Sequence, residues 1–259
     1  MLVDSHCHLD CIDLSPFDHS FDRFIQDAVS NGLEHMMCIS IDYEAYPAMR
    51  KLVDEYAHIS VTAGVHPNVR DGHDPDVEDI VRLALDRKVV GIGETGLDYF
   101  RSEGDLEWQR NRFRNHIRAA KRLGKPLVVH SRDAKEDTLR LLREEDAGEV
   151  GGVIHCFTED WDMAVRAMEL NFHISFSGIV TFKNARSVQE VAKKIPQDRY
   201  LIETDSPYLA PVPYRGKTNY PTYVRHVAEK IAELRGDSFA SIADTSAKNY
   251  YSLFGGTGT

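Results

Sequence analysis

Eight short runs of apolar and β-branched residues recur along the chain and constrain its fold more than any other feature. Each run is a continuous hydrophobic stretch rather than an alternation of apolar and polar residues. Strands that are buried on both faces of a sheet have this composition, and such strands are usually parallel. The runs are Leu2–Ser5, His35–Ile41, Ile59–Val65, Val89–Gly93, Pro126–Val129, Gly152–Ile154, Phe172–Phe176 and Tyr200–Ile202.

Segments with helical periodicity separate these runs. The predicted boundaries are a capping box at Asp76 and Asp79, a helix from Asp105 to Leu123 that Gly124 ends, a helix with Pro221 near its first turn that Gly236 ends, and an N-cap at Ser238. Strands and helices that alternate over 259 residues predict an α/β fold, a (β/α)8 TIM barrel. An open doubly wound sheet is the alternative, but the G-x-G-x-x-G turn that marks its first crossover is absent from the sequence.

Nothing in the composition divides the chain. No linker rich in Pro, Gly or Ser and no block of like charges interrupts the strand and helix pattern. We therefore predict a single domain over residues 1–254 and a flexible tail over residues 255–259.

The charge balance limits the partners that the chain can bind. Its formal net charge is −10, so the protein as a whole does not attract nucleic acid or anionic lipid, and a polyanionic substrate needs a local positive site. No secretory signal and no apolar stretch long enough to span a membrane is visible, and the four cysteines are few for the length. These features predict a cytoplasmic protein with reduced thiols and without a membrane partner.

Histidines and carboxylates fall at the ends of the predicted strands, where the active site of a TIM barrel lies. The residues at these ends are His6, His8, His66, Glu94, His130, His155 and Asp205. His6 and His8 are two positions apart in an extended segment, so both imidazoles can face the barrel mouth. A structural role, with hydrogen bonds made within the fold at a strand end, is enough to explain any one of these residues. It does not explain the occurrence of the whole series.

Without His66, this set has four imidazoles and two carboxylates, donors that suit Zn, Mn, Co or Ni better than Ca or Mg. A single catalytic zinc needs only three protein ligands and a water, so the larger set predicts two ions that share a bridging carboxylate. Glu94 lies near the middle of the set and is the predicted bridge. Two such ions activate a water and bind the attacking and leaving oxygens of a displacement, which predicts a hydrolase.

Seven sequence blocks carry a resemblance that extends over essentially the whole chain. They are DSHCHLD at Asp4–Asp10, GVHP at Gly64–Pro67, GETGLDY at Gly93–Tyr99, KPLVVHSRDA at Lys125–Ala134, GGVIHCF at Gly151–Phe157, ISFSGIVTFKNA at Ile174–Ala185 and ETDSPYLAPVPYRGKTN at Glu203–Asn219. With these blocks the chain closely resembles the TatD family of metal-dependent deoxyribonucleases in the amidohydrolase superfamily, nearest to its YcfH branch. Many amidohydrolases have a carboxylated lysine at the end of strand 4, whereas this family has Glu, as at Glu94.

The resemblance implies six metal ligands, the same six that the strand ends indicate: His6, His8, Glu94, His130, His155 and Asp205. It also implies hydrolysis of phosphodiester bonds in DNA, often from a 3′ end, with Mg commonly supporting activity. The expected cofactors are two divalent ions, Zn, Mn or Mg. His6, His8, Glu94 and Asp205 would hold one ion, and Glu94 would share the second with His130 and His155.

Other residues near the predicted site receive roles as hypotheses. Asp205 either accepts the proton of the attacking water as general base or serves as a ligand only. Glu203 lies two residues earlier on the same strand face and would orient a ligand. His66 would contact the substrate or support the ligands, or it is a structural histidine.

Basic and aromatic residues near the strand ends are candidates for substrate binding. Arg132, Arg215 and Lys217 could anchor phosphate groups, or they are ordinary surface charges. Tyr99, Phe100 and Phe157 could stack on an unpaired base, although aromatic residues at such positions more often serve packing.

The predicted function is therefore an exonuclease-like deoxyribonuclease with a water activated in a dinuclear site. DNA, single-stranded or at a 3′ end, is the predicted substrate, and no obligate protein partner is predicted. One alternative is an amidohydrolase-type esterase or deacylase that acts on a small molecule or an aminoacyl ester at the same centre. The other is a binding module with a structural metal, against which the surplus of ligands argues.

Overall fold

Eight parallel strands form a single sheet in the computed structural model, which describes residues 1–255. The sheet order follows the chain: β1 Val3–Cys7, β2 His35–Cys38, β3 Ile59–Ala63, β4 Val89–Asp98, β5 Leu127–Arg132, β6 Gly152–Ile154, β7 Phe172–Phe176 and β8 Tyr200–Ile202. The last strand returns to the first, where the amide of His8 donates to the carbonyl of Ser206 at 2.8 Å. The predicted TIM barrel is confirmed as a nearly closed barrel.

Helices follow every strand of the barrel. They are α1 Phe21–Ser30, α2 Tyr46–Leu52, α3 Val77–Ala84, α4 Glu107–Leu123, α5 Lys135–Glu144, α6 Trp161–Glu169, α7 Arg186–Lys194, α8 Val224–Arg235 and α9 Phe239–Phe254. Helices α1 to α7 connect successive strands, and α8 and α9 follow the last strand. The predicted capping box is present, since the Asp79 amide donates to the Asp76 carboxylate at 2.9 Å and the Asp76 amide donates back to Asp79 at 3.3 Å. No helix in residues 1–255 is both long and apolar enough to cross a membrane.

The strand predictions were accurate for β6, β7 and β8 but wrong for the end of β4. That strand does not end at Gly93, because residues up to Asp98 continue to pair with β5 after an irregularity between Ile92 and Thr95. Glu94 therefore lies inside β4 rather than at its end. The prediction of one domain stays a prediction, and residues 256–259 of the predicted tail lie outside the described residues.

The core fills the space between the barrel and its helices, and one histidine is part of it. His116 of α4 is fully buried beside Phe113 and Ile117. Its Nε2 accepts from the Val65 amide at 3.0 Å, and its Nδ1 lies 2.8 Å from the Arg112 carbonyl, which assigns the proton to Nδ1. Burial is the main cause that lowers the pKa of His116 to about 4, so the folded protein keeps this imidazole neutral.

We expect His116 to make the fold sensitive to acid. The unfolded chain takes up a proton at this side chain below about pH 6.5, whereas the folded protein does so only near pH 4. The free energy of unfolding should fall by roughly 2 kcal/mol between pH 7.5 and pH 5 through this group alone. Urea unfolding of the wild type and of His116→Gln at pH 7.5 and at pH 5 measures this contribution. The other histidines titrate in both proteins, so the difference between the two pH dependences belongs to His116. Parallel pH dependences in the two proteins would contradict the assignment.

Candidate metal centre

The six predicted ligands meet at the carboxyl end of the barrel. His6 belongs to β1 and His8 follows it, Glu94 and His130 belong to β4 and β5, and the others directly follow β6 and β8. Four of the six residues are at most 4% exposed, and the remaining two, His130 and Asp205, are partly buried. These six polar residues come from five strands or the residues that follow them, and they share one water-poor site.

Glu94 lies between two pairs of imidazoles. Its Oε2 is 3.4 Å from His6 Nε2 and 3.9 Å from His8 Nε2. Its Oε1 is 2.8 Å from His155 Nε2 and 3.1 Å from His130 Nδ1. Each carboxylate oxygen thus faces a different pair of histidines, which is the geometry that a bridging ligand requires.

Asp205 completes the first half of the centre. Its Oδ1 is 3.3 Å from His8 Nε2 and 3.5 Å from His6 Nε2. The closure of the barrel places it there, because the Asp205 amide donates to the His6 carbonyl at 3.0 Å. The His6 ring in turn stacks on the His155 ring with 3.8 Å between the ring centres, so the two halves of the centre are in contact.

Two further carboxylates orient the histidines of the second half. Asp98 Oδ2 is 3.1 Å from His130 Nε2, and Glu203 Oε1 is 3.3 Å from His155 Nδ1. Each contact assigns the proton to the nitrogen beside the carboxylate and leaves the other nitrogen facing Glu94. The role of Glu203 in orienting a ligand stays a prediction.

Sequence reasoning missed Asp98, although the residue spacing could have indicated it. Asp98 is four positions after Glu94, and residues i and i+4 of a strand lie on the same face. It is 1% exposed and also accepts from Asn68 Nδ2 at 2.8 Å and from the Arg101 amide at 2.9 Å. The prediction that β4 ends at Gly93 concealed this periodicity.

Replacing Asp98 by Asn should weaken metal binding roughly 10- to 100-fold, since it removes the charge that orients and polarises His130. Competition with a chromophoric chelator measures the affinity for Zn or Mn directly. Glu103→Gln is the matched control, because this exposed carboxylate lies in the connection that follows β4 and makes no contact with the centre. Equal affinities of the two variants would show that Asp98 does not support the ligand.

The charges of the centre oppose the effect of burial. Burial raises the pKa of the Glu94 and Asp205 carboxyls, but the surrounding imidazoles outweigh it and hold both pKa values below their ordinary range. Burial lowers the pKa of His8 and His155, but the neighbouring carboxylates outweigh it and raise both. Burial and the nearby His155 lower the pKa of His6. Ionised carboxylates beside such imidazoles attract a divalent cation in place of protons.

The histidine nitrogens supply a direct test of the fit to a metal. Both ring nitrogens of His6 and the Nδ1 of His8 are buried without a hydrogen-bond partner in residues 1–255. An unpartnered buried polar atom is costly, and here His6 Nε2 points between two carboxylates. Coordination of a divalent ion satisfies that nitrogen and uses the donor types that first-row metals prefer.

His66 joins the centre in a different way. Its Nε2 is 3.3 Å from Glu94 Oε1, while its Nδ1 accepts from the backbone N–H of Asn68 at 3.0 Å. The Nε2 of the neutral ring therefore carries the proton and donates. Arg112 positions this segment, since its guanidinium donates to the His66 carbonyl at 3.1 Å and to the Val69 carbonyl at 2.6 Å.

The predicted phosphate anchors lie around the centre and not in it. Arg132 stacks over the Phe100 ring at 4.0 Å, Arg215 stacks over the Phe182 ring at 4.3 Å, and Lys217 is exposed. None of the three contacts a predicted ligand in the described part of the chain.

Of the three aromatic candidates for base stacking, only Phe100 is largely exposed to solvent, with 60% of its surface accessible. Phe157 is buried in the core, and the hydroxyl of the half-buried Tyr99 donates to Asp137 at 2.6 Å. The stacking role is therefore wrong for Phe157, which has no face open to a base.

Comparisons with known proteins identify the family of the chain. The family model described as TatD related DNase matches residues 3–255. The Escherichia coli K12 protein YcfH, named an uncharacterized metal-dependent hydrolase, is 45% identical over 98% of this chain and 95% of its own length. The Bacillus subtilis protein YabD, which has the same description, is 41% identical over 98% of this chain and 99% of its own.

Solved structures show the same fold. The TatD homologue YjjV from Escherichia coli K12 superposes with a TM-score of 0.87 at 27% identity, covering 98% of this chain and 97% of that one. A TatD family hydrolase from Entamoeba histolytica superposes with a TM-score of 0.82 at 22% identity over 98% of both chains, a similarity that concerns the fold only.

The barrel and its cluster of histidines and carboxylates define a metal-dependent hydrolase of the amidohydrolase fold. Within that class, the chain belongs to the TatD family.

Proposed function

We propose that this protein is an exonuclease-like deoxyribonuclease that hydrolyses phosphodiester bonds of DNA with two divalent ions. The observation that carries the proposal is the position of Glu94, whose two oxygens face two separate pairs of histidines. In this proposal Glu94 would be shared by the two ions, and His6, His8 and Asp205 would hold one of them together with Glu94.

His130 through Nδ1 and His155 through Nε2 would hold the second ion with Glu94, because their other nitrogens face Asp98 and Glu203. When bound, two divalent ions lower the pKa of a water molecule and stabilise the charge of a phosphoryl oxygen. Zn, Mn and Mg are the candidate ions, and the His-rich donor set favours the first two.

The side chains of the centre supply the remaining chemistry. Asp205 is ionised and lies at the mouth with 13% of its side chain exposed, so its free oxygen can accept the proton of the attacking water. The Nε2–H of His66 faces the same space and can donate to a phosphate oxygen. Arg132, Arg215 and Lys217 would contact the phosphates beyond the reacting one. The predicted cytoplasmic location stays a prediction.

Digestion of end-labelled DNA tests the proposal. The purified protein is analysed for bound metal and incubated with single-stranded and double-stranded oligonucleotides in the presence of Mg, Mn or Zn, and a panel of esters, lactones and amides is assayed in parallel. We expect shortening of single-stranded DNA from its ends, loss of activity on chelation, and recovery when metal is restored.

Hydrolysis of an ester or amide without cleavage of DNA would instead support a deacylase at the same centre. Normal metal binding by Glu94→Gln with no loss of turnover on any substrate would contradict the bridging role.

A further inference from the structure

Unpaired basic side chains are concentrated at the mouth of the barrel. Most basic residues of the helices have acidic partners; Arg118, for example, lies 2.7 Å from Glu145, and Lys135 lies 2.8 Å from Asp160. Eleven Lys and Arg side chains in residues 1–255 have neither an ion pair nor a hydrogen bond. Four of them lie elsewhere: Lys51, Arg87, Arg143 and Lys248.

The other seven lie at the last residue of a strand, in the connection that follows a strand, or at the first residue of the next helix, at the end of the barrel where the metal centre opens. We call them the basic rim: Arg70, Arg101, Arg132, Lys183, Arg186, Arg215 and Lys217. In a chain of net charge −10, unpaired cations at this end attract an anionic ligand to the mouth.

Exposed apolar side chains occur at the same end. Phe100 is 60% exposed, Tyr208 is 52% exposed, and Leu209 and Val212 lie near Tyr208 on the connection after β8. Exposed apolar groups that lie together within a rim of polar residues mark sites of contact with a ligand or a partner. Their position among the basic rim indicates a ligand that has both anionic and flat apolar parts.

The two aromatic rings flank the two halves of the metal centre. The Tyr208 ring lies 5.8 Å from the His8 ring, and Phe100 is two residues after Asp98, which contacts His130. The connection that carries Phe100 follows β4 and the connection that carries Tyr208 follows β8, so both lie at the carboxyl end of the barrel. A strand whose phosphate lies at the centre can therefore place a base on either side.

We propose that Tyr208 and the stacked pair of Phe100 and Arg132 form a nucleobase-binding subsite for an unpaired strand. Arg132 covers the Phe100 ring at 4.0 Å and leaves its N–H edges free to bind phosphate. Stacking is possible only for a base that has left the duplex, so this subsite selects single-stranded DNA. The inference rests on the proposed function and names the residues that would give it substrate preference.

Binding to two probes of equal charge separates base recognition from phosphate recognition. The metal-loaded protein is titrated with fluorescent, nuclease-resistant phosphorothioate oligothymidylate and with a phosphorothioate oligomer of the same length that has abasic sugars. We expect the wild type to bind the first probe more tightly. Phe100→Ala and Tyr208→Ala should each weaken that binding about fivefold or more, without changing affinity for the abasic probe.

Control variants and a separate nuclease assay distinguish failure of the subsite from failure of the proposed function. Leu85→Ala removes a side chain that is 73% exposed away from the mouth and should leave both affinities unchanged, as should Arg87→Ala. Equal wild-type affinity for the two probes, or base-dependent binding that survives both aromatic substitutions, would overturn the subsite. Digestion of unmodified oligothymidylate by the same preparations then decides independently whether the proposed nuclease activity exists.

Discussion

Asp205→Asn is expected to lower the rate of DNA hydrolysis by about 10²–10⁴-fold, the range that a positioned general base contributes. The Asp205 carboxylate is ionised because the neighbouring His8 and His6 outweigh its burial, and it opens to the mouth. An amide of the same shape neither accepts the proton of water with comparable strength nor supplies the negative charge. Initial rates on end-labelled single-stranded DNA measure the loss.

The backbone conformation of Asp205 is one that Asn also adopts. Its φ is 58°, in the left-handed region that Asn tolerates well, so the variant should fold normally. Asp133→Asn is the matched control, because Asp133 has a φ of 53° and is exposed outside the centre. Retention of more than a tenth of wild-type activity by Asp205→Asn would contradict both roles proposed for this carboxylate.

Metal content distinguishes the two roles. A variant that retains its metal but loses turnover indicates that Asp205 accepts a proton. A variant that loses one equivalent of metal together with turnover indicates that it is a ligand. The same measurement on Asp133→Asn gives the reference stoichiometry.

The fold was predictable because its determinants are local. Buried parallel strands are short continuous apolar runs, and Gly152–Ile154, Phe172–Phe176 and Tyr200–Ile202 are strands with the predicted limits. The parallel order then brings all carboxyl ends of the strands to one end of the barrel. For that reason the six histidines and carboxylates could be placed together without knowledge of any distance.

The features that could not be predicted from the sequence depend on contacts between segments that are distant along the chain. Asp98 has its role only because β4 continues alongside β5, and the apolar pattern of the sequence stops at Gly93. Likewise, no pattern indicates that Phe157 turns into the core while Phe100 is exposed. The tautomers of His130 and His155 follow from their carboxylate partners, which belong to other strands.

The pairing of charges explains how an acidic protein can act on an anion. Ion pairs on the outer helices, such as Arg166 with Glu136, combine basic residues with the more numerous acidic ones. The basic rim has no such partners, so its charge is available at the mouth. A site for phosphate therefore requires an uneven distribution of charge rather than a basic chain.

Gly96→Ala should destabilise the protein severely. Gly96 lies in the second half of β4 with a φ of 132°, a conformation that side chains with a Cβ rarely adopt. A Cβ at this position would lie 2.0 Å from the carbonyl oxygen of His130, which is backbone and cannot rotate away. We expect the free energy of unfolding to fall by more than about 4 kcal/mol, as for other severe core defects.

Gly104→Ala separates the clash of Gly96→Ala from its backbone strain. Gly104 also has a positive φ, 84°, but a Cβ there has open space around it, so this variant carries strain alone, roughly 1–3 kcal/mol. Urea unfolding of both variants gives the difference that contact with His130 adds. Because β5 must shift to relieve that contact, any Gly96→Ala protein that still folds should bind metal more weakly through His130. Equal unfolding free energies for the two variants, with metal affinity unchanged, would mean that the close packing of β4 on β5 does not position this ligand.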